Sequence, residues 1–379
     1  MSKLTLAMHA ITNTKKVLIS LAIITSIPLI SACVGNAHSQ KAQQNNECKS
    51  ENSLDFVCGL NHIEDLIQIP ERNLLIGSSG VGPGSLIGKI VLIDTKNRKQ
   101  LPLSIVLTGE MLPEYANCPR PPNLDKLHPH GISIRPGENN QHLLYLVNHV
   151  DRESVEHFNV DASNETVKVT WVGCTLLPDG AYGNGVVPLP DGGFVVTKFY
   201  DTRESNMYVQ LGARTPNGVI YRWHPPTTET KAHFTTIKGS ESFANNGLEI
   251  TADGKWLFMN LWTQNKTIRF DLAGDTPPKS IPLAFMPDNI HRAPDGTMLI
   301  GGHVSTIELL LSCKANCLND WAVARLDPNT LEVSYLLWEK GSKTFADTTG
   351  AIELNNELWL SVYRGDRVAV VPVPASPIQ

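Results

Sequence analysis

A short pattern recurs six times along the chain, and it constrains the possible folds more than any other feature of the sequence. In its clearest copy, Asp288 stands six residues before Pro294, which opens a Pro-Asp-Gly turn. Pro fixes φ, Asp hydrogen-bonds its own backbone and Gly supplies positive φ, so this segment predicts a β-hairpin. The other copies place a polar residue in the same position, with a weaker match in the last one: Glu64, His130, Asn184, Asn246 and Thr349.

The spacing of these copies predicts the fold class. Successive copies begin about 40 to 66 residues apart, which is typical of the blades of a β-propeller. The 28 glycines and 25 prolines indicate a turn-rich β protein, and only 306–312 is expected to form a short helix. We therefore predict an all-β fold, a six-bladed β-propeller, with long irregular connections over 108–127 and 203–212. A hairpin returns the chain to its starting end, so the six polar positions are expected to converge on the propeller axis.

The amino terminus has the composition of a targeting segment. Lys15 and Lys16 precede an apolar run over 17–30, which is shorter than the roughly 20 residues that span a bilayer comfortably. The run ends in Ile-Ser-Ala before Cys33 and resembles a bacterial lipobox, which implies that Cys33 carries a lipid. Val34 in place of Asp favours the outer membrane, with the protein facing the periplasm. An ordinary cleaved signal is the alternative.

These features divide the chain into three parts. Residues 1–32 are predicted to be a lipoprotein signal peptide, 33–53 a flexible tether, and 54–379 a single propeller domain in the bacterial cell envelope. Six cysteines follow Cys33, and an even count in an exported chain favours disulfide bonds. Six cysteines allow fifteen pairings. Proximity in sequence favours Cys48–Cys58, Cys118–Cys174 and Cys313–Cys317.

Several classes of function are disfavoured by the sequence. The formal net charge is −5 and there is no basic block, so nucleic acid is not expected as a partner. No Gly-x-Ser-x-Gly motif is present, which argues against a serine hydrolase of the nucleophile-elbow type. The cysteines lack the spacing of a zinc site and are absent from the predicted hairpin ends.

The polar residues at the hairpin ends are suited to a metal ion. Two carboxylates and three amides are hard oxygen donors, the ligands that Ca²⁺ accepts in sets of six to eight. The five predicted ligands are Glu64, Asn184, Asn246, Asp288 and Asn289. Two alternatives remain open. Asn and Asp near hairpin ends also form Asx-turns, and a calcium ion on the axis could be purely structural.

Three histidines are expected beside this site. His130 occupies the shared hairpin position, and His149 ends the returning strand of the same hairpin. A hydrogen-bonded histidine pair beside a Lewis-acidic metal is suited to proton transfer near neutral pH, although rim histidines that bond the backbone would give the same pattern. His303 closes its own hairpin in the equivalent place and is predicted to contact substrate.

Short motifs between residues 63 and 290 resemble those of the paraoxonase/arylesterase family. They are His130-Gly131-Ile132-Ser133, Val147-Asn148-His149, Phe243-Ala244-Asn245-Asn246-Gly247, Asp288-Asn289-Ile290 and, more weakly, Ile63-Glu64-Asp65. The resemblance implies a six-bladed propeller with a catalytic calcium in its tunnel, which hydrolyses lactones and, secondarily, esters. It maps the calcium ligands onto the five residues above and a histidine dyad onto His130 and His149. The family's second, structural calcium uses an acidic residue where this chain has Gly185, so that ion is in doubt although Asp65 is present.

The resemblance leaves the base and the substrate open. Either His130, with His149 behind it, or a metal-bound carboxylate such as Asp288 would activate the attacking water. Gluconolactonase and strictosidine-synthase types share the architecture, and a non-catalytic scaffold lipoprotein is a further alternative. The expected partners are a small lactone or ester and, through Cys33, a membrane.

Overall fold

Six small β-sheets form the protein. A computed structural model describes residues 48–80, 87–108, 110–312 and 318–378. Each sheet has four or five strands, and the innermost strands of the six sheets contact one another in a closed ring. The predicted all-β fold, a six-bladed β-propeller, is confirmed. The predicted signal peptide 1–32 and Cys33 lie outside the described residues.

The strands follow one another in chain order from sheet to sheet. The first strand of the described residues is β1 (Asp55–Cys58). The first sheet consists of β2 (Ile63–Gln68), β3 (Leu74–Ser79), β4 (Lys89–Asp94) and β5 (Lys99–Leu101). The second consists of β6 (Ser104–Val106), β7 (Pro129–Arg135), β8 (Gln141–Asn148), β9 (Ser154–Asp161) and β10 (Lys168–Leu176). The third consists of β11 (Ala181–Pro188), β12 (Phe194–Asp201), β13 (Val219–His224) and β14 (His233–Thr236).

The remaining three sheets repeat the four-stranded arrangement. The fourth consists of β15 (Asn245–Ile250), β16 (Trp256–Leu261), β17 (Lys266–Asp271) and β18 (Lys279–Pro282). The fifth consists of β19 (Met286–Arg292), β20 (Met298–Val304), β21 (Asp320–Leu326) and β22 (Val333–Glu339). The sixth consists of β23 (Thr348–Leu354), β24 (Glu357–Val362) and β25 (Arg367–Pro372), together with β1.

The two ends of the chain close the ring within one sheet. β1 pairs antiparallel with β25, so the first strand of the domain is the outer strand of the last blade. Arg98, just before β5, donates to Asp55 of β1 and Glu357 of β24 and ties the first blade to the sixth. The hairpin pattern does not predict this closure, because a lone strand pairing with a partner about 300 residues away has no local signal.

The residues just before β1 are bonded to the propeller. Residues 48–53 fall in the predicted tether, yet Cys48 forms a disulfide with Cys58, and Glu51 pairs with Leu54. The Cys118–Cys174 disulfide is also present, so two of the three predicted pairings are confirmed. Cys313 and Cys317 lie outside the described residues.

Two short α-helices accompany the strands in the part of the chain that the structure describes. The α-helix α1 (Met207–Ala213) lies where the sequence predicted a loop, and it starts at Asn206, whose side chain accepts from the backbone N–H of Val209. The second, α2 (Ile307–Ser312), confirms the predicted short helix. Within the described residues, no helix combines the length and apolar character needed to span a bilayer.

Large apolar side chains fill the space between sheets. Alternate residues of the strands point to the two faces of a sheet, and both faces are covered by neighbouring blades. The largest fully buried side chains include Tyr145, Phe158, Phe258, Trp321 and Trp359, from five different strands. This packing fixes the inner strands and therefore the positions of the residues near the axis.

Candidate active site

A β-bulge occurs in each of the six inner strands, at the position that the repeated pattern marks. At these points the pairing between the inner strand and the second strand of its sheet shifts register, and such a bulge re-aims the side chains that it contains. Each shift encloses a residue of the repeated pattern. The enclosed residues, with the bounds of each shift, are Glu64 (63–65), His130 (129–132), Asn184 (183–186), Asn246 (245–248), Asp288 with Asn289 (287–290) and Thr349 (348–350).

Glycines inside the bulges let neighbouring inner strands approach closely. A Cβ atom on Gly131 would lie 2.3 Å from the backbone oxygen of Asn184, and one on Gly247 would lie 2.6 Å from that of Asp288. Only glycine permits these contacts between adjacent blades. The bulged residues are therefore held against one another around the axis.

Buried polar residues on the second strands hold the bulged backbones. Thr197 donates to the carbonyl of Asn246 at 2.8 Å, and Asn260 donates from Nδ2 to the carbonyl of Asp288 at 2.9 Å. Thr349, which lies on the innermost strand of the sixth sheet, likewise donates to the carbonyl of Glu64 at 2.6 Å. Sequence reasoning missed Thr197 and Asn260, although each lies on the returning strand of a recognised hairpin.

Seven of the marked or predicted residues line one cavity of about 190 Å³ at this end of the axis. They are Glu64, His130, Asn184, Asn246, Asp288, His303 and Thr349. Asn289 and His149 lie directly behind this wall. Nδ2 of Asn289 donates to the carboxylate of Glu64 at 3.0 Å, and His149 contacts His130. The structure thus brings together the residues that the sequence scattered over nearly 300 positions.

Three of the five predicted metal ligands present a buried oxygen without a partner. Within the described residues, Oε2 of Glu64, Oδ1 of Asn184 and Oδ1 of Asn246 have no hydrogen-bond donor. An unsatisfied buried acceptor costs about 1–3 kcal/mol, so three of them beside one cavity call for a bound group. No cluster of three His, Cys, Asp or Glu in metal-binding geometry occurs in the part of the chain that the structure describes. The set found here consists of carboxylate and amide oxygens, which suit Ca²⁺.

The carboxylates at the axis crowd one another. Burial, followed by the charges of Asp65 and Asp288, raises the pKa of Glu64 well above its usual value. Burial also raises the pKa of Asp288 to about 8, against a hydrogen bond from Asn246 that lowers it. A cation among these groups would reverse both shifts, because it stabilises the ionised form. The residues therefore fit a calcium ion in donor chemistry and in charge.

Asp65, the residue in doubt as a second metal ligand, is bonded within the protein. Its carboxylate accepts from Nε2 of His291 at 2.6 Å and from the backbone N–H groups of Leu66 and Ile132 at 2.8 and 3.1 Å. Burial lowers the pKa of His291, but the charge of Asp65, the hydrogen bond to it and the charge of Glu249 together raise it above its usual value. The contact with Asp65 thus favours the protonated form of His291.

The predicted histidine pair is in hydrogen-bond contact. Nδ1 of His130 lies 3.2 Å from Nε2 of His149, and Nε2 of His130 lies 3.1 Å from Nδ2 of Asn184. Burial lowers the pKa of both histidines, in His149 to about 3. Tyr182 stacks on His149 with ring centroids 3.8 Å apart. His130 is therefore a neutral imidazole in a fixed orientation at the cavity wall, able to accept a proton.

The predicted substrate contact, His303, lies across the cavity from this pair. Its Nδ1 accepts from Nε1 of Trp262 at 3.1 Å and lies 3.8 Å from Oδ2 of Asp288. The remaining lining is largely aromatic or apolar and includes Phe199, Met207 and Trp262, with Arg364 as a cationic member. Met207 belongs to α1 and Trp262 to the turn after β16, both outside the repeated pattern, whereas Phe199 lies on β12. Sequence reasoning missed all three.

Comparison with known proteins shows a sequence similarity to a paraoxonase. Human serum paraoxonase/arylesterase 1 is 24% identical over 317 residues, which is 80% of this chain and 81% of that protein. No protein-family model matches the chain. This similarity agrees with the resemblance of the motifs to the paraoxonase/arylesterase family. A sequence identity of 24% does not by itself place the chain in that family.

Several solved structures resemble the fold. A gluconolactonase from Xanthomonas campestris has a TM-score of 0.47 at 12% identity, with 85% of this chain and 89% of that chain covered. The calcium-binding protein regucalcin from Agrobacterium tumefaciens has a TM-score of 0.47 at 12% identity, with 83% and 91% covered. A luciferin-regenerating enzyme has a TM-score of 0.49 at 10% identity, with 85% and 96% covered. Similarities at this level are too weak to support a functional conclusion.

Proposed function

We propose that this protein is a calcium-dependent hydrolase of lactones, with aryl esters as secondary substrates. One observation carries the proposal: three orphaned oxygens and two crowded carboxylates surround one cavity, and a neutral histidine lies in its wall. The likeness to a paraoxonase over 80% of the chain supports the same activity.

The proposed ligands of the ion are the five predicted residues. Glu64, Asn184, Asn246 and Asp288 face the cavity, and Asn289 reaches Glu64 from behind. When bound, calcium supplies Lewis acidity, which stabilises the negative charge that develops on a carbonyl oxygen. Two carboxylates balance the charge of the ion, and five protein ligands leave coordination sites for water and substrate.

The other residues of the cavity bind substrate and move protons. His130 takes a proton from the attacking water at Nε2, and His149 fixes its ring through Nδ1. His303 contacts the substrate, and Phe199 and Trp262 bury its apolar part. A cavity of about 190 Å³ is suited to a small ring.

Two variants test whether His130 or the carboxylate of Asp288 is the base that deprotonates the attacking water. We expect His130→Gln to retain calcium binding and lose lactone hydrolysis by about 10²-fold or more, the usual contribution of a general base. Asp288→Ala should lose both calcium and turnover. Turnover retained in His130→Gln alongside loss of both in Asp288→Ala would assign the base to the carboxylate.

The substrate class is tested by a panel of γ- and δ-lactones and aryl esters with the purified full-length protein. Lactones should be hydrolysed faster than aryl esters, and chelation should abolish both reactions until calcium is restored. If the folded, calcium-loaded protein hydrolysed none of these lactones or esters, the scaffold alternative would be favoured. On that alternative, Asn184→Leu and Asn246→Leu would leave partner binding intact.

We further propose that the protein is lipid-anchored through Cys33 to the outer membrane of a bacterial envelope and faces the periplasm. The lipobox-like segment before Cys33 and the two disulfides support an exported protein. Metabolic labelling with palmitate should mark the parent chain and not Cys33→Ser. Equal labelling of the two would refute the anchor.

A further inference from the structure

The hydrogen-bonded histidine pair continues to a third residue. Nδ1 of His149 lies 2.8 Å from Oε2 of Glu153, four residues later in the segment between β8 and β9. Glu153 also accepts weakly from the backbone N–H of Gly183 at 3.4 Å. Its side chain is 27% exposed, whereas that of His149 is 2% exposed. One chain of hydrogen bonds therefore runs from the protein surface through His149 to His130 at the cavity.

We propose that Glu153 is the positioning residue and outer proton acceptor of a relay, Glu153–His149–His130, which serves the hydrolase reaction proposed above and rests on it. The proton taken from water at the cavity is passed outward, and Glu153 receives the last transfer. No other carboxylate within the described residues contacts His149.

The residues at the two ends of the hydrogen-bond chain favour one set of histidine tautomers. An ionised Glu153 accepts the Nδ1 proton of His149, so Nε2 of His149 is free to accept the Nδ1 proton of His130. Nε2 of His130 then carries a lone pair, which agrees with Asn184, whose Nδ2 donates to it. Glu153 at one end of this chain of contacts and Asn184 at the other therefore favour the same tautomers.

The proton movements balance. As the water oxygen bonds to the carbonyl carbon, its proton passes to Nε2 of His130 and replaces the hydrogen bond from Asn184. The Nδ1 proton of His130 passes to Nε2 of His149, and the Nδ1 proton of His149 passes to Oε2 of Glu153. When the ring C–O bond breaks, the leaving oxygen recovers a proton by the reverse path. The carboxylic acid product then loses its own proton to solvent.

The relay avoids a buried positive charge. Burial lowers the pKa of His149 to about 3, so an imidazolium at this place is costly. Burial raises the pKa of Glu153 to about 8, against the hydrogen bond from Gly183 and the charge of His128. After the transfers described, all three side chains are neutral. The raised pKa of Glu153 favours the protonated form that it takes after the transfers, whereas the form that accepts the Nδ1 proton of His149 is the ionised one.

Glu153→Gln and Asp151→Asn form a matched pair for the test. Gln keeps the size and an oxygen acceptor at 153 but cannot take up a proton. Asp151 lies two residues earlier, and its carboxylate accepts from Arg120 at 2.8 and 3.0 Å, away from the relay. We expect Glu153→Gln to lower kcat about 10- to 100-fold with KM nearly unchanged, and Asp151→Asn to match the parent. Parent-like kcat in Glu153→Gln would overturn the relay.

Chemical rescue separates proton transfer from a structural role. Glu153→Ala opens a partly exposed position in which added formate can replace the carboxylate. We expect formate to raise kcat of Glu153→Ala and to leave that of His149→Ala unchanged. Loss of kcat in Glu153→Ala that formate does not restore would assign Glu153 a structural role and reject the relay.

A spectroscopic measurement tests the relay independently of turnover. In ¹⁵N-labelled full-length protein, His149 should carry its proton on Nδ1, with a low-field proton resonance in the parent and in Asp151→Asn. The resonance should move upfield in Glu153→Gln, because an amide oxygen is a weaker acceptor than a carboxylate. A parent His149 protonated on Nε2 would overturn the relay. If no lactone is hydrolysed, the proposed function fails, whereas a His149 protonated on Nε2 in a protein that does hydrolyse lactones overturns the relay alone.

Discussion

Replacement of Gly131 by alanine tests how closely the inner strands must approach to build the site. Gly131 lies in the bulge beside His130, and an added Cβ would lie 2.3 Å from the backbone oxygen of Asn184. Ordinary contacts begin near 3.4 Å, so the two strands would have to separate by about 1 Å. His130 and Asn184, now 3.1 Å apart, would move with them.

The expected cost appears in two measurements. Overpacking of this kind destabilises a fold by about 1–3 kcal/mol, measurable by urea unfolding. A displacement of about 1 Å at a reacting group lowers kcat/KM about 10²-fold, measurable by lactone hydrolysis. Gly80→Ala is the control, because Gly80 is also buried but its Cβ would have 3.7 Å of clearance. Parent-like stability and turnover in Gly131→Ala would refute the argument that the bulges are held in contact.

Three further predictions follow from other contacts. The Cys118→Ser/Cys174→Ser double variant should lose about 4 kcal/mol in urea unfolding, from the entropy of a loop with a sequence separation of 56. Trp262→Phe removes the donor to His303 and should raise KM about 2- to 10-fold in steady-state kinetics; an unchanged KM would contradict the substrate contact. Burial and then His149 lower the pKa of His128 to about 4, so the unfolded chain binds more protons between pH 6.5 and 4. The free energy of unfolding, measured by urea unfolding, should therefore fall as the pH drops from 6.5 to 4. This fall should be less steep in the His128→Asn variant than in the parent protein.

Local chemistry made the blades predictable. The turn residues around Pro294 and its equivalents fix hairpins, and a hairpin fixes which residues share one end of a sheet. The polar residue before each turn, such as Asp288, therefore marked the end of the sheet that faces the cavity. The bulges themselves were not predicted, because a register shift depends on the partner strand as well as on the bulged one.

Contacts between distant parts of the chain escaped sequence reasoning. The pairing of β1 with β25 and the role of Asn260 depend on how the ring closes and packs. Glu153 stands near His149 in sequence, yet only the course of the loop shows that its carboxylate turns back to Nδ1. The cavity lining was missed for a related reason, since Met207 and Trp262 lie outside the hairpin repeat.

The most direct test of the account is a calcium titration of the chelated full-length protein, in which lactone turnover and the thermal midpoint are followed together. The orphaned oxygens of Glu64, Asn184 and Asn246 predict one site that serves both stability and catalysis. Turnover and midpoint should therefore rise over the same calcium range, with about 2.7 kcal/mol of added stability at 100 times the Kd. Turnover that persists after chelation, together with a midpoint that calcium does not change, would contradict the metal site on which the account rests.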